Sequence, residues 1–329
     1  MSELDDKLDD WATVKDECDW SSLLLGNGFS QNIWTSFGYN SLFETASAGP
    51  GAILHADDVK LFESFQTKNF ELVLSALATS KAVQQALVQW SDHIAARELS
   101  IRTALIRAVH SVHIPWVNVD SGKLDRVASE LSGYASVFAT NYDLLLYWSV
   151  MRQPSQFRDY FWAKEFDVSD TEIWGKVTKV HYLHGGLHLY RRPNGQTLKR
   201  TAAGGLNLLD LFGTPFENAV PLFISEGTAA EKLASIYRSD YLSFVLSQFA
   251  RDEAPLVVFG HSLGDSDSHL VDVINANRGR DVAVAIRPDG DIRQKKASII
   301  KSLPKAEIHF FDAATYPLGD PSLNIAKPA

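Results

Sequence analysis

Short runs of consecutive apolar, β-favouring residues recur along the chain, several of them ending at Gly, Asn or His. They are Ser22–Leu25, Ser136–Ala139, Val180–Leu183, Leu222–Ile224, Leu256–Phe259, Val282–Ile286 and Glu307–Phe311. Runs that stay apolar instead of alternating predict strands buried on both faces, hence parallel strands covered by helices. Helical patterns lie between them at Asp143–Val150, Thr228–Arg251, Asp265–Ala276 and Asp291–Ser302. That alternation predicts an α/β protein with a doubly wound, mostly parallel, Rossmann-like sheet. The stretch from about residue 40 to 132 breaks the alternation. There Ile101, Leu105, Ala108 and Val112 fall on one helical stripe and Pro115 closes the run, predicting a helical insertion between the first two strands. The aromatic-rich segment 153–178 and the segment Arg191–Arg200, with its Pro-Asn-Gly turn, read as surface elaborations.

Composition narrows the class. With 329 residues, 45% of them hydrophobic and 22% charged, the chain has the make-up of a globular protein able to bury a large core. No apolar run is long enough for a membrane span and the first residues carry no signal-peptide pattern, so no membrane association is expected. Cys18 is the only cysteine; this rules out a disulfide framework or a four-cysteine zinc site and fits a cytoplasmic location. Of the net charge of −9, residues 1–20 carry −6, from eight acidic and two basic residues. They read as a solvated acidic lead-in to a single domain over residues 21–329. Acidic surfaces repel phosphate backbones, so direct nucleic-acid binding is not expected.

Four motifs carry candidate chemistry. Gly26-Asn27-Gly28-Phe29-Ser30 ends the first strand and opens a helix, a setting in which glycines let the backbone approach a pyrophosphate. Thr140-Asn141-Tyr142-Asp143 ends the second, where Asn141 or Asp143 serves either a ligand or the cap of the next helix. In His181-Tyr182-Leu183-His184-Gly185-Gly186-Leu187-His188, an extended strand sends His181 and His184 to opposite faces, which argues against a shared metal. His184 stands at the strand end beside two glycines, a station suited to an acid or base. Gly260-His261-Ser262-Leu263-Gly264-Asp265 has the strand–turn–helix setting of a nucleophile elbow. A serine esterase would then need Asp289 and His309 to complete a triad, and His309 lies within a predicted strand. A dehydrogenase would need an acid about 20 residues beyond the glycine loop. Glu44 is at roughly that distance but in a predicted helix.

In order and position the four motifs resemble the sirtuin-like superfamily. Gly26-Asn27-Gly28-Phe29-Ser30 is similar to its Gly-Ala-Gly-x-Ser loop, and Thr140-Asn141-Tyr142-Asp143 to its Thr-Gln-Asn-Ile-Asp. Leu183-His184-Gly185 resembles its Leu-His-Gly, and Gly260-His261-Ser262-Leu263 its Gly-Thr-Ser-Leu. The nearest resemblance is to bacterial sirtuin-like NAD hydrolases of antiphage defence. It implies NAD+ as substrate, cleaved to nicotinamide and ADP-ribose, with Asn141 and His184 catalytic. It assigns Gly26, Asn27, Gly28, Phe29, Ser30, Thr140, Asp143, Gly260, Ser262 and Asp265 to binding. It further implies a gate, through homo-oligomer assembly or a regulatory protein partner. The four-cysteine module of the deacylases is missing, as is their Asp-Phe-Arg segment, so water becomes the expected acceptor and no zinc is expected. A nucleotide sensor without turnover keeps the same loop and remains an alternative.

Overall fold

The computed structural model describes residues 5–37, 42–47, 53–87, 92–202, 207–224 and 227–326. Among the described residues ten strands are formed: β1 (Ser22–Leu25), β2 (Ser136–Ala139), β3 (Phe157–Arg158), β4 (Thr178–Tyr182), β5 (Gly185–Arg191), β6 (Thr197–Lys199), β7 (Val220–Phe223), β8 (Leu256–Phe259), β9 (Asp281–Ile286) and β10 (Glu307–Asp312). Seven make one sheet in the order β10-β9-β8-β1-β2-β4-β3, every pair parallel. Leu23, Leu24 and Leu25 are fully buried, as are Leu256, Val257 and Val258 beside them. Both faces of the sheet are therefore covered, and each such side chain contributes roughly 1.5–3 kcal/mol of burial. From β1 the chain steps outward to β2 and β4, then returns to the other side of β1 at β8 and continues to β9 and β10. The order reverses between β1 and β8, and in open α/β sheets a crevice forms there at the strands' C-terminal ends. The fold is the doubly wound, Rossmann-like one.

The β1–β2 crossover is the helical insertion, with helices Leu42–Ser47, Ala56–Ser64, Phe70–Ala86, Asp92–Val112 and Ser121–Leu131. Local capping sets their starts: Asn69 accepts from the Glu71 and Leu72 amides, and Asp120 from those of Gly122 and Lys123. Residues 38–41, 48–52 and 88–91 of the expected insertion lie outside the described residues. No helix among the described residues is long and apolar enough to cross a membrane.

Several expectations are corrected. The run at 222–224 is not a strand of the parallel sheet; β7 pairs antiparallel with β5 in a second sheet of order β6-β5-β7. The Pro-Asn-Gly segment is no surface elaboration either, because it turns the β5–β6 hairpin, whose Arg191, Thr197 and Leu198 are buried. Arg191 forms a buried ion pair with Glu71, fastening this small sheet to the insertion helix Phe70–Ala86. The expected helix 228–251 is two helices, Ala229–Tyr237 and Asp240–Arg251, because Ser239 caps the second by accepting from the Leu242 amide. The acidic lead-in is packed, not merely solvated. Its helix Trp11–Lys15 buries Trp11 and Val14, Trp20 follows them into the core, and Asp9 bridges to Phe311 at the edge of the sheet.

Candidate functional site

Strand register brings the four motifs together. Leu25 lies level with Ala139 on one side and Phe259 on the other, and Ala139 is level with Tyr182. The residues that follow, at Gly26, Thr140, Leu183 and Gly260, therefore emerge side by side at one edge of the sheet. Beside them opens a cleft of about 660 Å³. Asn27, Gly28, Thr140, Asn141, His184, Gly260 and Ser262 line it. Gly26, Phe29, Ser30 and Asp143 stand behind its wall, and Asp265 faces a separate groove beside the helical insertion.

The glycines have a reason that the sequence conceals. A Cβ on Gly28 would stand 2.6 Å from the Gly260 Cα, and one on Gly26 would stand 2.5 Å from the Gly260 carbonyl oxygen. Gly260 itself holds φ at +70°, which disfavours a side chain, and its own Cβ would meet the Phe29 nitrogen at 2.4 Å. The two loops thus interlock backbone to backbone. The Gly28 N–H donates to the Gly260 carbonyl at 2.8 Å and the Gly26 N–H to that of Phe259 at 2.9 Å. Those two amides serve the junction rather than a phosphate. Gly185 plays a similar part, since its φ is +72° and a Cβ would stand 2.3 Å from the Leu222 carbonyl oxygen. Gly185 thus admits the second sheet, a Cβ on Gly186 would meet the His188 ring at 2.9 Å, and neither of these nearest contacts is with the His184 ring.

Behind the wall, the Asn141 Nδ2 donates to the Gly26 carbonyl at 3.1 Å and to Ser30 Oγ at 2.7 Å, and the Ser30 hydroxyl donates to Asp143 Oδ2 at 2.5 Å. Asp143 Oδ1 accepts from the Leu145 amide, so this carboxylate starts the following helix. Burial raises the Asp143 pKa despite those two donors. A carbonyl can only accept, so the Gly26 contact fixes which end of the Asn141 amide is NH2. Its Oδ1 is buried and lacks a protein partner.

His184 is pinned where β4 leaves the parallel sheet: its carbonyl accepts from the Ile224 amide at 2.8 Å, just past β7. Its Nε2 lies 3.1 Å from His269 Nε2 and 3.8 Å from Asp267 Oδ1. The Lys232 ammonium sits 2.7 Å from the same Oδ1, and His261 Nε2 is 3.8 Å from Oδ2. Burial lowers the pKa of His184 well below the usual histidine value, lowers that of His269 to about 4, and lowers that of His261. Burial pushes the Asp267 carboxyl up, but the neighbouring His184, His261 and Lys232 outweigh it and hold its pKa down. The group is thus a carboxylate–ammonium pair ringed by neutral imidazoles. The ligand atoms of His184, Asp267 and His269 lie within 4.8 Å of one another, a spacing that could hold a cation. The Lys232 ammonium already supplies the positive partner there. His181 is elsewhere, stacked on Phe138.

Sequence reasoning missed Lys232, which reaches the cleft from a helix with no motif to mark it. It also missed the far wall, where Arg287 and Lys295 follow β9. The Arg287 guanidinium donates to the Gly28 carbonyl at 3.2 Å. The signal available was Arg287-Pro288-Asp289-Gly290, another strand ending in a turn.

The family described as "Domain of unknown function (DUF4917)" matches residues 23–317. The chain belongs to the DUF4917 family. No curated protein matches it. The DUF4917 match runs from Leu23 in β1 past the end of β10 and hence takes in every wall of the cleft. The other expected sites do not assemble. Glu44 lies on helix Leu42–Ser47, paired with Lys68 at 3.0 Å, rather than at a strand end. His309 contacts Glu17 and Asp281, at the opposite end of the strands from Ser262.

Proposed function

We propose that this DUF4917 chain binds NAD+ in the cleft and hydrolyses the nicotinamide–ribose bond. One observation carries the reading: Asn141, whose buried Oδ1 has no protein partner, and His184 line the same cleft as Asn27 and Gly28 of the glycine loop. Breaking an N-glycosidic bond builds positive charge on the ribose, as in glycoside cleavage. Asn141 Oδ1 accepts a hydrogen bond from a ribose hydroxyl or from the attacking water. His184, neutral at physiological pH, takes a proton from that hydroxyl or water, and His269 and the Asp267 carboxylate take up the positive charge that follows. Arg287 and Lys295 offer cations to the pyrophosphate. Leu42 of the insertion also lines the cleft, which supports a gate acting through those helices, whether by a partner or by a second copy.

The test is incubation of the purified chain with NAD+ and measurement of free nicotinamide. Asn141→Ala and His184→Ala are each expected to lose at least ~100-fold in rate. Wild-type turnover by a folded His184→Ala protein removes that residue from the mechanism. A second reading, a nucleotide sensor without turnover, is favoured by the burial of His184, which is only 2% exposed. NAD+ binding seen by calorimetry without nicotinamide release, alone or with infected-cell extract, would establish it.

A further inference from the structure

The end of the sheet opposite the cleft carries a second cluster of chemistry-bearing side chains. Asp281 is the first residue of β9 and His309 the third of β10, and the two strands run in register there. Glu17 and Cys18 approach them from the turn after helix Trp11–Lys15, where the Glu17 amide donates to the Val14 carbonyl. The Trp20 ring meets the imidazole of His309 edge-on, with centroids 5.5 Å apart, and limits how that ring can turn. The His309 Nε2 faces Asp281 Oδ1 at 3.1 Å, and its Nδ1 faces Glu17 Oε2 at 2.5 Å. One ligand atom from each of Cys18, Asp281 and His309 lies within 4.8 Å of the other two.

We propose that Cys18, Asp281 and His309 bind one divalent transition-metal ion of the zinc class. A thiolate, an imidazole and a carboxylate form a donor set that suits Zn²⁺ and disfavours Ca²⁺ or Mg²⁺. The ion takes the place of the proton between His309 Nε2 and Asp281 Oδ1 and of the thiol proton of Cys18. Glu17 accepts from the other ring nitrogen, the arrangement that orients a ligating histidine and raises its basicity. All three ligands are half-buried, so solvent completes the coordination. The site does not depend on the NAD reading, and it needs only one cysteine, unlike a four-cysteine module. Its effect is to clasp the N-terminal segment to the last two strands.

The experiment strips the full-length chain with a chelator under reducing, anaerobic conditions and titrates it with Co²⁺, with Zn²⁺ in parallel. Expected are one tightly bound equivalent, a thiolate-to-cobalt charge-transfer band, and a rise in thermal midpoint with Zn²⁺. Cys18→Ser abolishes the band, His309→Ala and Asp281→Asn abolish tight binding, and Glu17→Gln weakens it about tenfold or more. Circular dichroism identifies any variant that fails to fold, and the remaining variants then decide. Absence of a charge-transfer band in the wild type overturns the proposal. So does full binding in both His309→Ala and Asp281→Asn, or an equivalent that survives in Cys18→Ser but vanishes in His269→Ala.

Discussion

The cleft has two unlike walls. At the glycine junction, Gly26, Gly28 and Gly260 interlock so closely that no side chain fits, and the Gly26 and Gly28 amides both donate across it. At the polar pocket, Asn141 Oδ1 and His269 Nδ1 are buried without partners, and one carboxylate–ammonium pair is ringed by imidazoles. Bonding capacity that is spent holds a fold, while capacity left over in a buried place costs stability unless something else uses it. The junction therefore sets the shape of the cleft, and the polar pocket is where a ligand would gain.

Gly260→Ala breaks the comparison most severely. The new Cβ meets the Phe29 nitrogen at 2.4 Å and the Gly28 Cα at 2.8 Å, at a φ of +70°. Left-handed strain and backbone overlap together cost about 3–5 kcal/mol, a large share of an ordinary domain's stability. The measurement is the thermal or denaturant midpoint. His184→Ala, by contrast, is expected to lose turnover far out of proportion to its loss of stability. A Gly260→Ala protein as stable as wild type would mean that the junction is not the tight one described.

Acid sharpens the comparison next. His113 Nε2 accepts from the Leu144 amide at 3.0 Å beneath the second motif, and His181 stacks on Phe138 within the sheet. Burial lowers their pKa values to about 4 and about 3. The folded protein keeps both rings neutral, whereas the unfolded chain protonates them at the ordinary histidine value near ~6.5. Their contribution is therefore complete above that value and is lost as pH falls toward the folded values, at roughly 1 kcal/mol per histidine for the first unit. Unfolding midpoints measured from pH 7.5 to 5.5 should fall, and replacing His181 with Phe should flatten that slope. NAD turnover should show no acid limb at 6.5, because His184 is depressed in the same direction. A midpoint that rises on acidification contradicts the neutral assignment.

The parallel sheet and the meeting of the four motifs were legible because continuous apolar runs can be read without knowing their neighbours. The small sheet was hidden by its composition. β5 holds two glycines, His188 and Arg191, and its burial depends on β7 and on Glu71 far along the chain. The packing of the lead-in was hidden by its charge, although Trp11 and Val14 have the spacing of one helical face. Lys232 and His269 could not be read as site residues, because each reaches the pocket from a helix whose placement is tertiary. The glycines were read as phosphate-binding, while the structure gives them a packing role that any two closely packed loops would need.

Ser262 is the finest test, because it stands where the two walls join. It is exposed on the cleft wall, beyond Gly260 and before Leu263. The positive φ angles of this turn belong to Gly260 and Leu263, and Ser262 does not share them, so it lacks the strained placement of an elbow nucleophile. The histidines that follow it are also committed elsewhere. His269 Nε2 faces His184, and His309 lies between Glu17 and Asp281 at the far end of the strands. A hydroxyl so placed can donate to a ribose or phosphate oxygen, and no base among the described residues is hydrogen-bonded to it. Ser262→Ala is accordingly expected to weaken NAD use by ~1–2 kcal/mol, the scale of one lost hydrogen bond, with stability unchanged within about 0.5 kcal/mol. Labelling of the wild-type serine by a fluorophosphonate, with ester hydrolysis that vanishes in the mutant, would make Ser262 a nucleophile and move the chemistry from the polar pocket to the glycine junction.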